Sequence, residues 1–317
     1  MTIFEAIVQG VIQGITEFLP ISSSGHLLIS QHILGVTENN LFFDIMLHLG
    51  TLLAVLAVYR KTVWKLIISS VEIIKMIFKR EFSFSKLNAS QNMVVSLFVG
   101  LLPLFLLFVP VPGSGMNVKE IAEDLASSGS LLLVGAALIV TAVMLTLGTR
   151  KERTYKMSYV KRVGSEGDLE QYDGKKQVSI FDSIYIGITQ FAAAIFPGIS
   201  RSGSTLSTGL MRGINKQTAL DYSFILGIPA IVAASVLGLK DAIKSGAVQS
   251  VGLGAVLVGM TVSAIVGFFS IKLFKWLLKT DKMMIFVAYT AIIGSACVVL
   301  GVIEKFSGVN IFTGIAI

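Results

Sequence analysis

The sequence is poor in the residues that cross-link or solvate a water-soluble domain. Cys297 is the only cysteine among 317 residues, which excludes a disulfide framework and any paired-cysteine metal or redox motif. Charged residues make up 14% of the chain, against about 25% in an average soluble protein. Hydrophobic residues instead reach 54%. The composition therefore predicts a protein whose main solvent is the lipid bilayer.

Six apolar runs are long enough to cross a bilayer, which takes about 17–25 residues. The N-terminus has no basic region, and its first apolar stretch contains Gln9, Gln13 and Glu17, so we do not expect a cleaved signal peptide. The sequence thus predicts an all-α polytopic membrane protein that forms one membrane domain over residues 1–317. The six predicted transmembrane helices are at residues 42–59, 93–111, 131–148, 217–238, 251–271 and 283–303.

The positive charge is distributed between these spans. The formal net charge is +7, but Lys and Arg do not form a basic domain with interleaved aromatic residues, so we expect no nucleic-acid partner. They cluster at residues 60–86, 150–176 and 272–282, which the positive-inside rule places in the cytoplasm. Residues 112–130 and 239–250 hold few basic residues and are expected on the outer side.

Two stretches, 1–41 and 180–216, are apolar but interrupted by Pro, Gly and Ser. Irregular backbone at membrane depth is tolerated only inside protein or around a water-filled cavity, so we predict two re-entrant helical hairpins around a site. At a constant shift of 177 residues the two stretches match, and the match continues into the next span. The matching pairs include Ile7 and Ile184, Gly10 and Gly187, Gln13 and Gln190, Pro20 and Pro197, Ser23 and Ser200, and Asp44 and Asp221.

This shift predicts an inverted-topology repeat, with residues 1–148 as the first unit and 180–317 as the second. The polar loop 149–179 would join them, and its stretch 157–179 is expected to be an exposed cytoplasmic excursion without catalytic duty. The first hairpin would enter the membrane from outside and the second from inside. A site is therefore expected near the midplane, where the hairpins meet.

The first hairpin contains the motif QGITEFLPISSSGH at residues 13–26. Gln13 and Glu17 are four residues apart and share a helix face, and Pro20 then breaks the helix. An ionisable residue inside a membrane is by default a functional candidate. The alternative is a glutamate near the interface with a serine turn that caps a helix. The residues after the break are Ser22, Ser23, Ser24, Gly25 and His26.

The second hairpin contains the motif PGISRSGST at residues 197–205. Arg201 has no acidic residue within ten positions, so it needs an anion from elsewhere. Its planar guanidinium suits phosphate oxygens, and a helix start rich in Ser and Gly can cradle an anion. The alternative is that Arg201 pairs with Glu17 or with a lipid headgroup for structure alone. The polar cradle would consist of Ser200, Ser202, Gly203 and Thr205.

The motifs EFLPISSSGH and PGISRSGST together resemble those of the undecaprenyl diphosphate phosphatases of the bacitracin-resistance (BacA or UppP) type, over essentially the whole chain. The resemblance implies hydrolysis of the lipid diphosphate to its monophosphate, which recycles the carrier for peptidoglycan precursors. It also implies a divalent cation, a multi-pass position in the bacterial cell membrane and an extracytoplasmic active site. Catalytic roles would fall on Glu17, Ser23, His26 and Arg201.

The chemistry of such a site assigns further roles. Glu17 and the Gln13 amide oxygen offer hard oxygen ligands for Mg²⁺ or Ca²⁺, and the family's first motif begins with Glu or Gln, so Gln13 fits it. The nucleophile stays open between Ser23, His26 and an activated water, and we favour Ser23 with His26 as its base. Arg201 would clamp the diphosphate. Substrate binding is assigned to Ser22, Gly25, Ser200, Ser202, Gly203 and Thr205.

A different class of function fits the same architecture. Broken helices in an inverted repeat are typical of secondary transporters, so a transporter or flippase of a phosphorylated polyprenyl lipid is the main alternative. A structural or channel protein would leave Arg201 and Glu17 unexplained. His48 follows Asp44 by one turn, and we interpret that pair as structural. Small residues at Gly252, Gly254 and Gly259 make a homodimer possible.

Overall fold

The computed structural model describes residues 1–35, 41–127, 129–163, 173–249 and 251–315, without the side chains of residues 160–163 and 249. Within these ranges the chain is helical and forms no β-strand. The helices are α1 (Ile3–Thr16), α2 (Ser23–Leu34), α3 (Leu41–Phe78), α4 (Ala89–Leu101), α5 (Val118–Ser127), α6 (Leu131–Val163), α7 (Ile180–Ile195), α8 (Arg201–Met211), α9 (Lys216–Ser245), α10 (Leu253–Lys279) and α11 (Met284–Ser307).

Among the described residues, six helical segments are long and apolar enough to cross a membrane: α3, α4 with the 3₁₀ turn that follows it, α6, α9, α10 and α11. This confirms the predicted polytopic membrane protein with six candidate spans. Several helices extend beyond their predicted apolar runs. α3 has 38 residues, or about 57 Å at 1.5 Å per residue, which exceeds a hydrocarbon core of about 30 Å. Lysine and arginine favour helix, so charge ends the apolar run without ending α3.

Two pairs of short helices occupy the predicted hairpins. α1 and α2 have 14 and 12 residues, or about 21 and 18 Å, so neither could cross a hydrocarbon core of about 30 Å. α7 and α8 form the second pair. Both pairs begin in the same way, because Thr2 and Ser179 each form a capping box with an acidic residue three positions later. Both pairs also change direction near the prolines of the motifs, Pro20 and Pro197.

Each short pair packs against a span from the other half of the chain. α1 lies against α10, and α7 lies against α4. The contacts are close at matching positions, since a Cβ on Gly10 would lie 2.7 Å from the Gly259 carbonyl oxygen and one on Gly187 would overlap the Gly100 carbonyl oxygen. α6 packs against both α8 and α11. Helices from the N-terminal and C-terminal parts of the sequence are therefore packed against each other.

The segments between the spans differ in part from the sequence interpretation. The predicted outer loop 112–130 contains the helix α5. The predicted excursion 157–179 begins as the last part of α6, and its central part, residues 164–172, lies outside the described residues. Gly259, one of the residues suggested for a dimer contact, lies against Phe43 and Leu47 of the same chain. The homodimer itself stays a prediction.

Candidate active site

The two sequence motifs meet where the short helix pairs turn. The Ser24 hydroxyl lies 3.4 Å from the Gly198 amide nitrogen and accepts its hydrogen bond. The Ser202 hydroxyl donates to the Leu19 carbonyl oxygen at 3.2 Å. A Cβ on Gly25 would lie 3.2 Å from the Gly198 Cα. Residues separated by about 180 positions thus form one compact site, as the matching motifs predicted.

Glu17 is the centre of this site. It is buried at the C-terminal end of α1, and both of its carboxylate oxygens are engaged. Oε1 accepts a hydrogen bond from Arg201 Nη2 at 2.6 Å. Oε2 accepts one from the Ser23 hydroxyl at 2.7 Å and one from Gln13 Nε2 at 3.1 Å. A buried carboxylate requires such partners, because its desolvation is costly without a counter-charge.

Arg201 begins α8 and lies flat against α9. The guanidinium is mostly buried, and Gly227 makes room for it, since a Cβ there would overlap the guanidinium nitrogen Nη1. Of the sequence alternatives, the pairing of Arg201 with Glu17 is the one that the structure contains. The pair neutralises both charges, and Arg201 keeps further N–H groups that a bound anion can use.

The start of α2 is shaped by an unusual backbone at Ser22. Its φ of 73° lies in the left-handed region, which costs a non-glycine residue roughly 1–2 kcal/mol. The Ser22 side chain is buried and caps α2 by accepting a hydrogen bond from the Gly25 amide. This turn directs Ser23 toward Glu17. The predicted role of Ser22 and Gly25 in substrate binding stays a prediction.

His26 contacts the opposite side of this turn. Its Nδ1 lies 2.7 Å from the Ser22 carbonyl oxygen, which can only accept, so Nδ1 carries the hydrogen. In the neutral ring, Nε2 therefore accepts the hydrogen bond from the Tyr289 hydroxyl at 2.8 Å. The two rings are also stacked, with centroids 5.6 Å apart. The Ser23 hydroxyl hydrogen-bonds to Glu17, so the favoured pairing of Ser23 with His26 as its base differs from the hydrogen bonding observed.

Tyr289 stands on the outward face of α11. It is 38% exposed and lies one turn from Ile285 and Ile292, which are 54% and 67% exposed. Since α11 is an apolar span, this face is the one available to lipid. The imidazole and phenol pair thus lies beside an exposed apolar face of a candidate membrane span.

The polar residues of the second motif are mostly occupied by structural contacts. Ser200 caps α8 by accepting a hydrogen bond from the Gly203 amide at 3.0 Å. The Thr205 hydroxyl donates to the Arg201 carbonyl oxygen and lies 2.6 Å from the Ser223 hydroxyl. These contacts fix Arg201 at the first position of α8. Their predicted part in binding substrate stays a prediction.

The residues beside Glu17 fit a divalent cation. Gln13 is fully buried, and its Oε1 has no hydrogen-bond partner among the described residues. An unsatisfied buried acceptor beside a carboxylate suits a cation that prefers oxygen ligands. His48 also reaches this position, with Nε2 3.7 Å from Glu17 Oε2.

The sequence interpretation did not include Tyr289 and treated His48 as structural. Tyr289 is 263 positions from His26, and a single tyrosine in an apolar span carries no local signal. His48 offered a signal, because a histidine within a span is rare enough to merit a functional reading. Its nearness to Glu17 depends on how α3 packs against α1, which spacing alone does not specify.

Comparison with known proteins identifies a family for the chain. Residues 6–296 match the family described as bacitracin resistance protein BacA. A protein named undecaprenyl-diphosphatase from Carboxydothermus hydrogenoformans is 34% identical over 96% of this chain and 100% of its own length. Proteins of the same name from Methanosphaera stadtmanae and Methanobrevibacter smithii are 35% and 36% identical, over 96% and 93% of this chain and 99% and 96% of their own lengths. With its two motifs joined in one buried site and a match of this extent, the chain belongs to the BacA family.

Proposed function

We propose that this protein hydrolyses undecaprenyl diphosphate to undecaprenyl phosphate and inorganic phosphate. The observation that carries the proposal is that Ser23 and Arg201 both donate hydrogen bonds to the buried Glu17. These bonds join a hydroxyl, a carboxylate and a guanidinium. These are the groups that phosphoryl transfer needs: a nucleophile, a proton acceptor and a cation for the equatorial oxygens. The relatives named undecaprenyl-diphosphatase indicate the substrate.

Substrate binding begins at Arg201. The remaining N–H groups of its guanidinium bind oxygens of the terminal phosphate, and a planar fork favours two parallel hydrogen bonds. As Arg201 redirects part of its hydrogen bonding to the phosphate, its pairing with Glu17 Oε1 weakens. The carboxylate is then free to accept a proton.

The first chemical step forms a phosphoserine. The Ser23 oxygen attacks the terminal phosphorus while its proton passes to the Glu17 carboxylate, whose Oε2 lies 2.7 Å from that oxygen in the resting structure. The bond between that phosphorus and the bridging oxygen breaks, and undecaprenyl phosphate leaves with the bridging oxygen and its electron pair. The proposal thus assigns to Glu17 the proton acceptance that the sequence interpretation gave to His26.

The second step releases phosphate. Water attacks the phosphorus of the phosphoserine, the bond to the Ser23 oxygen breaks, and Glu17 returns its proton to that oxygen. The proton lost by the water passes through the Tyr289 hydroxyl to His26 Nε2 and then to solvent. His26 can accept this proton because Nδ1 carries the hydrogen of the neutral ring, which leaves the lone pair on Nε2.

A divalent cation belongs to the same proposal. Glu17 Oε2 and Gln13 Oε1 would hold it, and when bound it would offset the negative charge of the diphosphate. Mg²⁺ and Ca²⁺ both prefer oxygen ligands of this kind. Gln13 supplies a neutral oxygen, so the site has one carboxylate and leaves the remaining ligand positions to substrate and water.

The inverted repeat and re-entrant hairpins are part of the proposal as well. The first short helix of each unit packs on a span of the other unit, α1 on α10 and α7 on α4. This reciprocal packing supports a two-fold relationship between residues 1–148 and 180–317. The lengths of the short helices support hairpins that return to the side from which they came. On this topology the protein lies in the cell membrane with the basic loops in the cytoplasm.

Packing on the cytoplasmic side of Glu17 supports a site that opens to the other side. Phe18 meets Phe224 edge to face at 5.4 Å, and Phe224 contacts Tyr59 and Phe274 at 6.2 and 6.1 Å between ring centroids. Phe274 then contacts Phe286 at 5.3 Å. Tyr59 and Phe274 adjoin basic loop residues, so these rings fill the space between Glu17 and the cytoplasm.

The decisive experiment is phosphate release from undecaprenyl diphosphate by purified protein in detergent, with and without Mg²⁺ or Ca²⁺. We expect activity from the parent and its near abolition in Ser23→Ala and Arg201→Ala. Ser30→Ala is the matched control, because Ser30 lies in α2 and its hydroxyl donates to the Leu27 carbonyl oxygen of the same helix. Each variant is checked for folding by its elution and thermal unfolding.

The same assay separates hydrolysis from transport. In detergent no membrane divides two compartments, so phosphate release there is chemistry. A folded parent that releases no phosphate under any cation condition would contradict the phosphatase and favour the transporter.

A further inference from the structure

His48 faces the active site from α3. Its Nε2 lies 3.7 Å from Glu17 Oε2, and its side chain is 31% exposed. The mechanism above gives it no part. The distance is too long for a direct hydrogen bond, and it allows an ion pair only when the imidazole is protonated.

The tautomer of His48 follows from its other nitrogen. Nδ1 lies 2.8 Å from the Asp44 carbonyl oxygen, and a carbonyl oxygen can only accept, so Nδ1 carries a hydrogen. In the neutral ring the Nε2 lone pair then points toward the carboxylate. One ring nitrogen donating to a backbone carbonyl while the other stays free is the arrangement of metal-binding histidines.

A cation between the two groups would resolve their mutual repulsion. Two lone-pair donors 3.7 Å apart suit a divalent ion that bonds each at about 2.0–2.2 Å. Gln13 adds an independent observation, because its Oε1 is fully buried and lacks a hydrogen-bond partner in the described part of the chain. Gln13 Nε2 already donates to the same Glu17 Oε2, at 3.1 Å.

The protein side chains would fill only part of the cation's coordination positions, which suits a catalytic site. Among the described residues no group of three or more His, Cys, Asp or Glu side chains could hold a metal ion. Glu17, His48 and Gln13 would therefore leave positions for substrate oxygens and water. Arg201 binds the other carboxylate oxygen, Oε1, so it does not occupy the position between Glu17 Oε2 and His48.

We propose that His48 Nε2 is a ligand of the divalent cation, together with Glu17 Oε2 and Gln13 Oε1. This rests on the proposed function for the role of Glu17. A nitrogen ligand distinguishes the site from the all-oxygen site that the sequence predicted. It favours transition-metal ions over Ca²⁺, because imidazole suits first-row transition metals better than it suits a hard alkaline-earth cation.

The test uses Mn²⁺ on the purified full-length chain without substrate. Electron paramagnetic resonance measures binding, and electron spin echo modulation from ¹⁴N detects a bound imidazole. The parent should bind one ion with ¹⁴N modulation. His48→Gln should lose the modulation and weaken binding by at least roughly tenfold. His32→Gln is the matched control, since His32 pairs with Glu304, and His26→Gln tests the other imidazole; both should keep the modulation.

The outcomes separate this inference from the proposed function. Mn²⁺ bound without ¹⁴N modulation, modulation that survives in His48→Gln, or no saturable binding would each overturn the His48 ligand. Phosphate release by the same parent preparation would still uphold the phosphatase in those cases. Modulation that depends on His48 in a protein that releases no phosphate would uphold the metal site and reject the phosphatase.

Discussion

At the scale of single residues, the site depends on contacts between distant parts of the chain. The motifs of Glu17, Ser23 and Arg201 come together in the structure, and each of these residues lies at a helix break, since Glu17 ends α1, Ser23 begins α2 and Arg201 begins α8. The partner of each side chain was less predictable. Ser23 was paired with His26 by proximity in sequence, yet the left-handed turn at Ser22 directs it to Glu17. Backbone geometry of this kind has no signature in a run of three serines.

Tyr289→Phe tests the proton path at His26. The substitution removes the hydroxyl that donates to Nε2 and keeps the stacked ring. We expect the turnover number to fall about fivefold, the equivalent of one hydrogen bond of about 1 kcal/mol, with little change in KM. Steady-state kinetics of phosphate release measure both. A fall in thermal stability with unchanged turnover would instead give the hydroxyl a structural role alone.

Gly227→Ala tests the placement of Arg201 without changing a charge. The added methyl group would overlap the guanidinium, so Arg201 must move away from Glu17. We expect activity to fall by at least about tenfold, as for other losses of charge stabilisation in a transition state. Gly238→Ala in the same helix is the control, because its methyl group meets only the flexible end of Ile45. Equal losses in the two folded variants would argue against a specific effect on Arg201.

At the scale of helices, more of the structure could be predicted from the sequence than at the scale of side-chain contacts. The spans were located from apolar length, and the breaks at Pro20 and Pro197 were located from residues that interrupt a helix. The lengths of the helices that contain the spans were underestimated, because charged residues end an apolar run but continue a helix, as in α3. The helix α5 was missed because a short amphipathic helix outside the spans resembles a polar loop.

Asp281 links helix ends on the basic side of the protein. It pairs with Lys216 at the start of α9 and lies 3.9 Å from Lys156 of α6. Burial alone would raise the pKa of Asp281, but the hydrogen bond and charge of Lys216, with the charge of Lys156, outweigh it and lower the pKa. A carboxyl with a lowered pKa stabilises the folded state above its unfolded pKa of about 3.9 and loses this contribution as pH falls through the folded value.

Asp281→Asn should therefore remove a small stabilisation that the parent has at pH 7 and loses in acid. The carboxyl is mostly exposed, so the expected effect is below about 1 kcal/mol. Thermal unfolding at pH 7 and in acid measures it. The difference between parent and variant should shrink in acid, and a difference that grows there would contradict the assigned sign.

At the scale of the whole molecule, the proposed topology places the loop between α4 and α5 on the outer side of the membrane and the loop between α3 and α4 on the cytoplasmic side. Ser114 lies between α4 and α5 and Ser85 lies between α3 and α4, and both are exposed. With Cys297 replaced by Ala, we expect Ser114→Cys to react with an impermeant maleimide on intact cells and Ser85→Cys to react only after the cells are opened. The reverse pattern would invert the proposed orientation.

The position of Tyr289 has a consequence for the energetics of turnover. Because His26 and Tyr289 lie at a face of α11 that is available to lipid, a substrate can bring its headgroup to the site sideways while its prenyl tail stays among the acyl chains. Withdrawing that tail into water would cost about 0.8 kcal/mol for each methylene equivalent, a sum that no contact with the headgroup could offset. Catalysis at such a boundary requires no extraction of the lipid, because the substrate reaches the site by diffusion in two dimensions. The rate of encounter would therefore depend on the surface density of substrate in the bilayer.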